Sequence, residues 1–157
     1  MSPVLDANDF TVNLHYLLEE TFETHHGIYL DQNTSLLDTL KVVSAQEASI
    51  PVGGKCATLA AQVAHVIFYL EVLERYIVNH DTSPADWGAV WRTVSAVTDD
   101  EWDALNAGLE STYRRVEKMF REVEAWTEHS IGGAMAIVAH TAYHLGEIRQ
   151  ALCILKR

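Results

Sequence analysis

Trp102, Leu105, Leu109, Tyr113, Val116, Phe120 and Val123 recur every three or four residues along one stretch of the chain. That period puts them on one face of an α-helix turned towards a core. Phe10, Leu14, Leu17, Leu18, Thr21 and Phe22 repeat the pattern. The segment "ATLAAQVAHVIFYLEVLERYIVNH" is apolar almost all round, as a helix buried on most sides must be. No segment alternates in the manner of a strand leading into a hairpin turn. The fold class this predicts is all-α: a four-helix bundle with a short additional helix, in a single domain spanning 1–157.

Helix boundaries follow from caps and breakers. The first long helix is expected over about 7–25, capped by Asp6 or Asn8, with Gly27 as its C-cap. "TSLLDTLKVVSAQEAS" reads as one shorter helical stretch, capped by Thr34 or Ser35, and "IPVGGK" breaks the chain after it. The third long helix is expected over about 99–126, with Asp99 and Asp100 at its positive end. "HSIGG" then reads as a break before a last helix over about 132–154. Between the second and third long helices, "DTSPADWGAVWRTVSAVTDD" is too long for a tight hairpin and predicts a crossover.

Composition narrows the function. The 157 residues carry a formal net charge of −11, and apart from Arg114-Arg115 the eleven basic residues are scattered. Phosphate recognition needs clustered cations, so nucleic acid is not the expected partner, nor is an anionic membrane surface. No apolar run approaches the roughly 20 residues of a membrane span. The start, "MSPVLDANDF", lacks a signal peptide's basic and apolar regions. Cys56 and Cys153 form no CxxC, which fits a reducing, cytoplasmic setting with both thiols as small buried hydrophobes.

Against this background the histidines stand out. On the last helix Ile137, His140, Thr141, His144, Ile148, Ala151 and Leu155 share one stripe, so both imidazoles point inwards. Their i, i+4 spacing gives the bite of one metal ion, and a third ligand must come from another helix. His65, among Ala64, Val66 and Ile67 in the apolar helix, is the candidate. A lone buried histidine is usually an ordinary hydrogen-bonded core residue. Three on two buried helices need six nitrogens satisfied, and one metal satisfies three of them together.

Competing metal chemistries fit less well. Thr141 follows His140 where a zinc protease of the HExxH kind has Glu. A di-iron carboxylate bundle needs ExxH on two helices, and the chain offers only Glu23-x-x-His26. The count favours a mononuclear centre of His65, His140 and His144 with positions left open, for zinc or nickel first and iron or copper next. Glu147, on nearly the same face as His140, either orients a ligand or pairs with Arg149 or Lys156 on the rim. Tyr69, Tyr143, Trp87 and Trp91 are candidate pocket walls. The two Trp fold back over the mouth of the bundle or against a second subunit. His25, His26, His80 and His129 read as helix-end surface residues, and His15 lies beside the first helix's apolar stripe.

Through "AAQVAHVIFYLEVL", with His65, and "GGAMAIVAHTAYHLGEIRQAL", with His140 and His144, the sequence resembles the DinB/YfiT-like superfamily of metalloenzymes over nearly its whole length. The segment "SLLDTLKVVSAQEAS" and the "DW…W" of the crossover are also similar. The resemblance implies an up-down-down-up four-helix bundle with a long helix 2–3 crossover. It also implies a divalent metal on the three histidines, a homodimer, and a small-molecule substrate handled with a low-molecular-weight thiol cosubstrate. The chain departs from the pattern at "THHGIYLDQN", which interrupts what is often one long first helix. Three functions follow: a metal-dependent enzyme of thiol S-transferase or hydrolase type, a non-catalytic metal-stabilised binding or stress-response module, and a dimeric structural protein with hydrogen-bonded histidines.

Overall fold

The computed structural model describes residues 6–53 and 56–156. The sequence readings that rest on residues 1–5, and on Gly54 and Lys55 within "IPVGGK", lie outside them. The described residues form seven helices and no strand, so the chain is all-helical. Four helices are long: α1 (Ala7–Phe22), α4 (Leu59–Asn79), α6 (Asp99–Glu122) and α7 (Glu128–Leu155). Three are short: α2 (Leu36–Leu40), α3 (Ala45–Ala48) and α5 (Ala89–Thr93). No helix among the described residues is long and apolar enough to cross a membrane.

The long helices share one core. Leu14, Leu18 and Phe22 of α1 meet Leu109, Tyr113 and Val116 of α6, Val63, Val66 and Leu70 of α4, and Ile137, Leu145 and Ile148 of α7. Side-chain pairings give the directions. Phe22 stacks on Tyr113 and His15 on Phe120, so α1 and α6 run antiparallel. His65 faces His140 and Tyr76 faces His129, so α4 and α7 also run antiparallel. Ile67 lies by Gly108 and Glu74 by Arg115, so α4 and α6 are parallel. Parallel neighbours need the chain to return along the bundle, and the long α4–α6 connection does so.

Several boundaries differ from expectation, each for a local reason. Helix α1 stops at Phe22 rather than near 25, and Gly27 is not its cap. Gly27 instead takes φ +72° in the following loop, which bends so that His26, Ile28 and Tyr29 donate their backbone N–H groups to the buried Glu20 carboxylate. Those N–H groups cannot also serve a continuing helix. The expected single stretch over 34–49 is two helices, because Ser44 opens its own capping box with Glu47. The Trp102 indole N–H, 2.8 Å from the Val43 carbonyl, holds the break between them. Helix α6 ends at Glu122, not 126, where Val123 turns extended. The crossover contains α5, tied down where Thr58 donates to the Ser95 carbonyl and Val97 to the Ser49 hydroxyl.

The last helix brings the largest correction: "HSIGG" is not a break. Helix α7 starts at Glu128 behind a Thr127–Ser130 cap, and both glycines lie inside it. Gly133 is a close approach between helices. A Cβ there would stand 2.7 Å from Ile77 Cγ1, whereas one on Gly132 meets nothing within 4 Å. Gly133→Ala therefore gains helix propensity but forces a buried β-branched side chain to shift, for a net loss of about 1–2 kcal/mol. Gly132→Ala gains the propensity alone, about 0.5–1 kcal/mol. Thermal melts of the two variants should move in opposite directions.

The two cysteines also depart from expectation. Both are free and exposed rather than buried, because Cys56 precedes α4 in an open loop and Cys153 faces outwards near the end of α7.

Candidate metal centre

His65 sits in the second turn of α4, and His140 and His144 one turn apart on α7. Antiparallel packing of these helices brings the three side chains together. His140 Nε2 lies 3.3 Å from His65 Nε2 and 3.2 Å from His144 Nε2. One ligand atom from each of the three lies within 4.8 Å of the others. His65 and His144 are buried, with 7% and 5% of their surface exposed, and His140 is half-buried.

This donor set fits a divalent metal ion. Tetrahedral zinc with imidazole ligands at about 2.05 Å places neighbouring nitrogens about 3.3 Å apart. Both of the short Nε2–Nε2 distances match that edge. Three imidazoles facing one another cannot all be satisfied by mutual hydrogen bonds, since each neutral ring carries one donor and one acceptor. The Nδ1 atoms of His65 and His140, on the far sides of the rings, are buried without a partner, so no hydrogen bond there fixes either tautomer. This buried three-histidine group can hold a metal ion.

The electrostatics keep the lone pairs available. Burial lowers the pKa of all three histidines. For His140, burial and then its two histidine neighbours push the value to about 4. For His144, Glu147 opposes the effect of burial. All three rings are therefore neutral at pH 7, the form that ligates metal. Between pH 6.5 and about 4 the unfolded chain binds protons that His140 in the fold does not, so stability falls as pH drops through that window. Melts in the presence of a chelator at pH 7.5 and 5.0 should show a loss on the order of 2 kcal/mol from this residue, smaller in His140→Gln.

The surroundings are aromatic and polar on different sides. Tyr69 stacks on His140 with ring centroids 3.5 Å apart, and Trp91 of α5 lies against His65 at 4.3 Å. Trp87 packs on Phe68 and Tyr69. The crossover thus folds back over the histidines, although Trp87 and Trp91 stay 45% and 39% exposed. Tyr143 is exposed and donates its hydroxyl to Glu147 Oε1 at 2.7 Å. Glu147 Oε2 lies 3.0 Å from His144 Nδ1. Glu147 forms neither rim ion pair expected of it: Lys156 pairs with Glu47, and Arg149 donates to Thr39. Gln62, three residues before His65 on α4, contacts both Glu147 and His144. The signal was a lone amide three residues before His65 in an otherwise apolar run.

The other histidines lie elsewhere. His15 stands between α1 and α6 near Glu19 and Glu117. Arg121 already neutralises both carboxylates, at 3.2 and 2.7 Å. His26 pairs with Glu19, and His129 stacks on Tyr76 at the far end of α4 with His80 beside it. A cavity of about 590 Å³ at that far end is lined by Ile77, Met119, Arg115 and Glu74 among others. Its Arg115 is engaged by Glu74 and Glu71, and it is three turns along α4 from the three-histidine group, so it is a poorer candidate for chemistry.

No family model matches this chain, and no match is found among curated proteins or solved structures.

Proposed function

We propose that this protein is a metal-dependent enzyme with a mononuclear His65–His140–His144 centre, built on a four-helix bundle of the DinB/YfiT-like kind. The observation that carries the reading is the convergence of three Nε2 atoms, two from α7 and one from α4, at the spacing of metal ligands. A divalent ion there, zinc or nickel first, would act as a Lewis acid that acidifies a water molecule or a small thiol. The protein's own residues would set the rest. His65, His140 and His144 would be ligands rather than bases, because their Nε2 lone pairs face the centre. Tyr69 and Trp91 would hold the His140 and His65 rings in plane and keep bulk water from them. Thiol S-transferase-like chemistry on a small electrophile, in a cytoplasmic homodimer, is the reaction class this reading carries.

The experiment is a turnover assay of the zinc- or nickel-loaded protein with a small electrophile and a low-molecular-weight thiol. Turnover that falls to background in His140→Ala and in the metal-free protein supports the enzyme. Metal binding without turnover by any thiol favours the second reading, a metal-stabilised binding module. The near-complete burial of His65 and His144 is the observation on that side.

A further inference from the structure

The three histidines are not held alike. His65 and His140 present orphaned Nδ1 atoms and lean on aromatic faces. Only His144 is gripped through its Nδ1, by two residues from different helices. Its Nδ1 lies 2.5 Å from Gln62 Oε1 and 3.0 Å from Glu147 Oε2. Gln62 Nε2 in turn donates to Glu147 Oε2 at 3.1 Å, and the Tyr143 hydroxyl donates to Glu147 Oε1.

Only one arrangement of protons satisfies this cluster. A carboxylate accepts and cannot donate, so the Gln62 amide must turn its NH₂ to Glu147 and its carbonyl to His144. Flipped, the amide would set its oxygen against the carboxylate. Nδ1 of His144 then faces two acceptors and must carry the proton. In a neutral ring this leaves the Nε2 lone pair pointing at His140 and His65. Glu147 alone would be a loose restraint, being partly exposed on the rim; the Gln62 amide ties it across from α7 to α4.

We propose that Gln62 is a positioning residue of the three-histidine centre: clamped on Glu147, it fixes His144 as the Nδ1–H tautomer and aims its Nε2 at the metal position. The role assigned to the metal rests on the function proposed above, whereas the tautomer does not. Partners of this kind typically tune metal affinity by 10–100-fold.

Two measurements test it. Nitrogen-edited NMR of the zinc-free protein reads the His144 tautomer directly: it should be Nδ1–H in the wild type, with the Nε2–H form appearing in Gln62→Leu. Competitive zinc titration should show at least tenfold weaker binding in Gln62→Leu. The paired exchange Gln62→Glu with Glu147→Gln keeps the sizes and an amide–carboxylate bond between α4 and α7, with the carboxylate now on residue 62 against His144 Nδ1, so it should restore the Nδ1–H tautomer. An Nε2–H His144 in the wild type, or wild-type zinc affinity in Gln62→Leu, overturns the proposal. A wild type that binds no zinc but shows the Nδ1–H tautomer would sink the metal reading and leave the clamp standing.

Discussion

Zinc should raise the melting temperature of the metal-free protein by about 5–10 °C at a hundredfold excess over Kd, and His140→Ala should abolish the shift. The reason is linkage. A ligand that binds only the folded state stabilises it by about 2.7 kcal/mol at that excess, and a chain of this size shifts by about 2–4 °C per kcal/mol. The unfolded chain competes poorly, because His65 lies 75 residues from His140 and joins it only through α4–α7 packing. In His140→Ala the 3.2 and 3.3 Å nitrogen pairs both disappear, since both run through His140. His15→Ala should keep the full shift, because His15 stands among Glu19 and Glu117 instead. A shift that survives in His140→Ala would place the ion somewhere else.

The second large effect concerns Glu20, which binds no ligand in this account. Its carboxylate is completely buried and takes backbone N–H groups from His26, Ile28 and Tyr29. Glu20→Ala takes the carboxylate from those donors and frees the loop that follows α1. The expected loss is about 3–5 kcal/mol, a fall in melting temperature of about 6–20 °C. Glu20→Gln keeps an acceptor and should lose less. Burial alone would raise the Glu20 pKa, but the backbone hydrogen bonds outweigh it and the net shift is downwards. Its contribution is therefore full above pH 4.5 and is lost as pH falls through the lower folded value. Zinc stabilisation should persist in Glu20→Gln, because His65, His140 and His144 all lie on α4 and α7.

Much of this fold is legible in the order of the residues. The 3-4 stripes of α1 and α6 pick out most of their buried residues, because an amphipathic helix writes its burial into its period, but they miss Glu20, Thr112 and Met119. The i, i+4 pair and a lone histidine in an apolar helix are enough to group His65, His140 and His144. His65 lies in the second turn of α4 rather than at its middle, so its meeting with the α7 pair depends on the antiparallel packing of the two helices. Glycine is the harder residue. Gly27 and Gly133 both look like punctuation, yet one turns a loop around a buried carboxylate and the other lets α4 approach α7. Both roles depend on partners outside the local window, which local propensity cannot see. Gln62 escapes notice for the same reason, since its partners lie 82 and 85 residues away.

The central claim is that three histidine nitrogens share one metal ion. The most direct test is elemental analysis of protein purified without a histidine tag, wild type beside His65→Ala, His140→Ala and His144→Ala. About one equivalent of a divalent metal in the wild type, and a loss of most of it in each variant, is the predicted result. No metal in a wild type reloaded with zinc and nickel, or equal metal in all four proteins, would contradict it.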